Sequence, residues 1–153
     1  ALVKCNTDRQ STESGAVAEA IRLTQASRAS HIRGRANESA LAATNASKWS
    51  VYADLETSIN APACPTYTSS LSAMDAYFSS EDNSYIKWYL THQADFRAKK
   101  GAYESANSAL SNKRLEADGL QRSFETHFCA HKGKQIDMCS TYAACRANAL
   151  SKY

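Results

Sequence analysis

Proline and glycine are scarce in this chain, at 2 and 5 of its 153 residues. A sandwich or barrel turns every ten residues or so and needs many more such breakers, so all-β architectures are excluded. Long apolar runs are missing too. The longest stretch without a charge, Thr57 to Met74, holds Pro62, Pro65 and many hydroxyls, and predicts no membrane span. Nor does one sign of charge dominate. The 18 Lys and Arg stand against 15 Asp and Glu, and the net +3 is too small for a field that would hold nucleic acid over the whole surface. There is no GxSxG elbow and no Gly-rich strand-to-helix turn to carry a nucleophile. Paired CxxC zinc-ribbon spacing and the Glu-x-x-His motifs of di-iron bundles are absent. These absences predict a non-enzyme that carries no cofactor. The N-terminus, Ala-Leu-Val-Lys-Cys, shows no signal peptide and reads as a mature or cut end.

What is abundant is small and helix-compatible: 27 Ala and 20 Ser. With 43% hydrophobic and 22% charged residues the composition is that of a folded chain, expected as a single helical domain over 1–153. From about 7 to 60 there is one Gly besides Gly15 and no Pro, and apolar or small positions recur at threes and fours: Val17, Ile21, Thr24, Arg28, Ile32, Ala36, Ala43, Ala46, Trp49, Ala53 and Ile59. This spacing predicts one long helix, weakest at Ser27 to Ser39, where Arg28, His31, Arg33, Gly34 and Arg35 invite a kink. Pro62 and Pro65 end it. A loop with a short helix is expected over 61–82.

The strongest pattern begins after it. Positions 85, 89, 92, 96, 99, 103, 106, 110, 113, 117, 120, 124 and 127 alternate by four and three, and nine of them are apolar or aromatic. Such a seam predicts a coiled-coil-like helix from about 83 to 131, with Lys99 and Lys113 snorkelling out of it. Lys132-Gly133-Lys134 is expected to cap it, and a last helix to run over about 135–152 with Ile136, Cys139, Ala143, Ala147 and Leu150 on one face. The whole reads as an all-α, elongated antiparallel helical hairpin, coiled-coil-like, with a short helix and a C-terminal helix packed at one end.

Five cysteines, at 5, 64, 129, 139 and 145, favour disulfides and an oxidising compartment: secreted, extracellular or an organelle lumen. Cys139 and Cys145 sit six apart on one helix and should not pair. Hairpin geometry predicts Cys129 with Cys139 across the Gly133 turn and Cys5 with Cys145. The exchanged set, Cys5 with Cys139 and Cys129 with Cys145, stays open, and Cys64 is left unpaired or intermolecular. His127 and His131, four apart with Cys129 between and Cys139 after, are weak candidates for a metal site. Asn37-Glu38-Ser39 and Asn45-Ala46-Ser47 are glycosylation sequons. Arg28, Arg33 and Arg35, opposite Lys113 and Arg114, form a basic zone able to meet a glycan or acidic partner unless Glu38, Glu104 and Glu116 balance it. Trp49, Tyr52, Tyr67, Phe78, Tyr85, Trp88 and Tyr89 gather towards one end, with Trp49, Tyr52, Tyr85, Trp88 and Tyr89 as interaction candidates.

The run Phe124-Glu-Thr-His-Phe-Cys129, followed by Cys139-Ser-Thr-Tyr-Ala-Ala-Cys145 and a closing Tyr153, resembles a cysteine-bearing helical module of large secreted or surface proteins of dinoflagellate algae. The likeness spans about 30 residues. It implies a helical fold, an extracytoplasmic setting and assembly into larger structures, and it carries no activity.

The expectation is therefore a non-enzymatic, extracytoplasmic structural or interaction subunit that meets other protein subunits, itself or different ones. A ligand-binding or receptor-type hairpin using the aromatic end is the alternative, and a small metal-binding helical protein is the third reading.

Overall fold

The computed structural model describes residues 1–60, 70–72 and 84–152. The protein is a helical hairpin, with no strand among the described residues. Helix α1 spans Leu2–Thr12 and passes through a π-helical turn, Glu13–Val17, into α2, Ala18–Ala53. A single further turn, α3, covers Leu55–Ser58, and the return helix α4 runs Ser84–Leu150. The described chain packs as two compact units, 1–39 with 112–153 and 40–111. In a helix pair each residue meets only its own level of the neighbour, so packing divides along the sequence. The loop and short helix expected at 61–82, and Cys64, lie outside the described residues apart from 70–72.

In the first unit the helices run antiparallel. Cys5 is bonded to Cys145, the Tyr142 hydroxyl donates to Asn6 Oδ1 at 3.0 Å, and the Thr24 hydroxyl donates to the His127 carbonyl at 3.1 Å. His31 stacks on Phe124 with ring centroids 6.1 Å apart. Gly34 sits against the facing helix: a Cβ there would lie 2.7 Å from Leu120 Cδ1 and 3.8 Å from Ala117. Arg35 reaches across to Asp118 at 2.8 Å and Gln121 at 2.7 Å while holding Glu38 at 2.7 Å, and Glu38 also meets Arg114. The second unit is antiparallel as well, with Trp49 on Tyr103 and Tyr52 on Phe96.

The π turn explains how residues near the start of the chain join this seam. Twelve residues separate Cys5 from Val17, both 3% exposed, and on a regular helix they would point about 120° apart. In the π turn the Ala18 amide bonds the Glu13 carbonyl, five residues back. One residue is absorbed, and the two side chains come within about 20° of each other.

Four boundaries differ from expectation, each for a local reason. The first helix starts at Leu2 rather than near residue 7, because the disulfide and the Asn6–Tyr142 bond hold its first turns. α2 is unbroken through 27–39, where an interruption is expected, since Gly34 is occupied by close packing and Arg35 by ion pairs. The inward stripe of α2 is Val17, Ala20, Thr24, Ser27, His31, Gly34, Glu38, Leu41 and Asn45, so Arg28, Ile32, Ala36, Ala43 and Ala46 face outwards instead. Lastly, Gly133 is helical without a positive φ, and α4 runs on to Leu150. Glycine costs a helix about 1 kcal/mol against alanine. The inner residues beyond it, Met138, Tyr142, Cys145 and the buried Ala149, offset that by packing on α1 or its flank.

Two outcomes are expected. Deleting Gly15 should convert the π turn to regular helix with Cys5 still within about 20° of Val17, so that the Cys5–Cys145 bond forms and a thiol titration of the denatured, unreduced protein shows no additional free thiols. Gly34→Val should force the helices apart and lower stability by about 1–3 kcal/mol in urea unfolding, the usual range for an overpacked site.

Candidate functional site

The second unit contains an aromatic cavity of about 860 Å³. Its first wall comes from the end of α2, the α3 turn and the residue after it: Trp49, Tyr52, Leu55, Glu56 and Ile59. The chain breaks at Asp54, whose amide still bonds the Ser50 carbonyl, and leaves helical geometry at Ile59. Leu55, 6% exposed, anchors the turn. The second wall is a ribbon two residues wide on α4, since 88 and 89, 92 and 93, 96 and 97, and then 100 repeat every four. The Trp88 indole N–H donates to the Asn60 carbonyl at 2.9 Å and ties the two walls.

Ring contacts hold this set. Trp49 lies 5.0 Å from Tyr103, Tyr52 lies 5.5 Å from Phe96, and Tyr52 stacks on Tyr103 at 6.0 Å with 13° between planes. Trp88 leans on His92 at 5.4 Å. These separations match the offset and edge arrangements that aromatic pairs favour. Trp49, Tyr89 and Phe96 nevertheless stay 51%, 53% and 42% exposed, so much of their surface faces the cavity or solvent. Charge enters from α4: Arg97 makes no ion pair among the described residues, while Lys100 holds Glu104 loosely at 3.7 Å. The structure thus brings together Trp49, Tyr52, Trp88 and Tyr89 of the expected cluster. Tyr67 and Phe78 lie outside the described residues, as does the Tyr85 side chain. Sequence reading placed His92, Phe96 and Tyr103 on the seam without assigning them to this cluster, and it missed Arg97. The signal for Arg97 is its spacing of four from Gln93 and eight from Tyr89.

In the first unit, α4 carries a second feature on the side turned away from α1 and α2. Cys129, Ile136, Cys139, Ala143 and Leu150 fall seven, three, four and seven apart, forming one stripe, and all are exposed. Cys129 and Cys139 are free thiols, so the bridge expected between them is not made. The reason is the continuous helix: ten residues at 1.5 Å each hold them about 15 Å apart, beyond the 7 Å that a disulfide spans between Cα atoms. The Cys5–Cys145 pairing is the one formed, with Cα atoms 5.8 Å apart.

The metal candidates His127 and His131 stay together, and the cysteines face away from them. His127 and His131 lie on the inner seam, with His127 Nδ1 and His131 Nε2 buried and unpartnered among the described residues. Cys129 projects about 200° round the helix from His127. No three His, Cys, Asp or Glu side chains converge on one point among the described residues. Of the basic zone, Arg35 is committed to Glu38 and Asp118, and hydrogen bonds to Glu38 and then Asp118 hold its pKa above the ordinary value. Lys113 snorkels to Glu116, Arg33 contacts Ser30, and Arg28 remains exposed. Asn37 is exposed, whereas Asn45 turns its amide oxygen inwards without a partner, which leaves Asn37 as the open sequon.

No helix of the described residues is long and apolar enough to cross a membrane. Comparison with family models, curated proteins and solved structures gave no match.

Brief treatment of the native, unreduced protein with a maleimide should label Cys129 and Cys139 but neither Cys5 nor Cys145. Peptide mass spectrometry reads this directly; a peptide pair joining 129 to 139 would contradict the continuous α4.

Proposed function

We propose that this chain is a non-enzymatic, extracytoplasmic helical interaction subunit that docks onto a further copy of itself through the outer face of α4. One observation carries the reading. The stripe Cys129, Ile136, Cys139, Ala143 and Leu150 is largely apolar and uncovered, with Ile136 55% and Leu150 52% exposed, and Lys132 and Arg146 stand on the same side of the helix. A helix buried on one side normally presents polar residues on the other, so an apolar stripe on both sides is the pattern of a helix with two neighbours. An intrachain disulfide agrees with an oxidising compartment, and the likeness of 124–145 to a repeated secreted module agrees with assembly.

The cavity of the second unit is lined mainly by aromatic and aliphatic side chains, which suits holding a molecule. The arginines 28 and 33 remain open for a glycan or acidic partner in the same assembly. Light scattering on the purified, oxidised chain at about 100 μM should give at least twice the 16.7 kDa chain mass. Ile136→Asp should return it to the monomer mass with unchanged helical circular dichroism. A wild-type chain that stays monomeric at that concentration overturns the reading.

A further inference from the structure

We infer that the aromatic cavity of the second unit is a binding site for a small amphipathic molecule with a flat, conjugated body and one anionic group. Three independent observations converge on this chemistry. The cavity, at about 860 Å³, falls within the range of roughly 300–1,000 Å³ that encloses a small ligand. Its walls present five aromatic rings, Trp49, Tyr52, Trp88, Tyr89 and Phe96, and aliphatic Leu55 and Ile59. Three of those rings, Trp49, Tyr52 and Phe96, are already held by ring neighbours across the helix pair, so the wall is in place before anything binds. Rigid aromatic faces favour flat conjugated rings, which stack on them, over saturated chains.

The charge of the lining selects the sign of the polar group. Arg97 and Lys100 are three apart on one edge of α4, and a single carboxylate, Glu56, stands on the other wall. Arg97 has no carboxylate within ion-pair distance among the described residues, and the Lys100 pair with Glu104 is long. Beside a partly dry aromatic surface, an unpaired guanidinium gains most from a planar, two-oxygen anion that accepts both of its N–H groups. A carboxylate meets that description, and a tetrahedral sulfonate can offer two of its three oxygens to the same pair of N–H groups. The Gln93 amide and the His92 ring, on the same wall, supply hydrogen-bonding groups between the cation and the rings.

The experiment uses a matched pair of probes on the full, oxidised chain: 1-anilinonaphthalene-8-sulfonate and N-phenyl-1-naphthylamine, the same ring system without the sulfonate. Binding is read by energy transfer from Trp49 and Trp88, with stoichiometry from the saturation end point. The sulfonate should bind once per chain and at least about fivefold more tightly than the neutral probe. Arg97→Gln should weaken the sulfonate about tenfold and change the neutral probe by less than twofold, while Arg97→Lys, which keeps the charge but loses the paired N–H groups, falls between the two. Glu56→Gln should tighten the sulfonate two- to threefold, and Arg28→Gln, in the other unit, should alter neither probe. Equal affinity for the two probes, or no effect of Arg97→Gln, overturns the anionic selectivity. Several weak sites per chain, or binding without energy transfer, overturns the cavity as the site. Should Arg97→Gln lose its helical signal, the Glu56→Gln comparison decides alone.

Discussion

A regular helix cannot bring Cys5 and Val17 to the same neighbour, and the first unit is organised around the way this is solved. The π turn at Glu13–Val17 absorbs one residue, after which Cys5 meets Cys145 and Arg9 leans over the Tyr142 ring at 5.6 Å. Without that adjustment α1 would have little to hold it. It begins at Ala1 with no side-chain cap, its first turn has no acidic residue, and Cys5 is its one buried side chain. The bond joins residues 140 apart, and loop-closure entropy puts the stabilisation from such a crosslink at about 5 kcal/mol. That is comparable to the whole net stability of many small domains. The local cost of a wide turn is therefore offset by a long-range tie, and the ion pairs of α1, all exposed, contribute little beside it.

The sparse core follows from having helices as the only layers. Among the described residues no large side chain is fully buried, and the most enclosed positions are small or of middle size: Cys5, Val17, Ala20, Leu110, Ala117 and Ala149. Two helices cover each other along one stripe and leave both flanks wet, so the stripe tolerates polar groups whose ends reach water. That is why the seam of α2 holds Thr24, Ser27, His31, Glu38 and Asn45, and why Glu38 can serve both Arg35 and Arg114 from within it. A reading by apolar spacing finds α4, where Tyr103, Leu110, Ala117, Leu120 and Phe124 keep the alternation of four and three. It fails on α2, because Ile32, the kind of residue such a reading selects, is 56% exposed while glycine and histidine lie inside. Gly133 misleads for a related reason. A glycine between lysines resembles a helix stop, but no proline follows, and the inner residues beyond it repay continuation.

The aromatic end was legible in outline from composition alone. Trp49, Tyr52, Trp88 and Tyr89 stand out as large rings in a chain rich in Ala and Ser, and antiparallel pairing brings the two sets to one level. What spacing could not supply is the second wall as a surface. Phe96 and His92 look like seam residues in a heptad, and Arg97 looks like a solvated charge. They become part of a cavity because the first helix breaks at Asp54 and ends a few residues later, so that this level of α4 faces a short turn rather than a full helix.

The two sides of α4 in the first unit make the remaining argument. Tyr142 and Cys145 on the inner side are committed to Asn6 and Cys5, whereas Cys129 and Cys139 on the outer side are held by the rigid helix about 15 Å from each other. In an environment that oxidises the inner pair, thiolate exchange at the outer ones has no partner on their own helix. Their reach is limited to groups brought alongside the stripe, with Ile136 between them as the apolar contact that would position such a neighbour. Continuity of the helix through Gly133 thus decides the fate of both thiols: a cap at that position would have folded them against one another, and its absence turns them outwards on a single face.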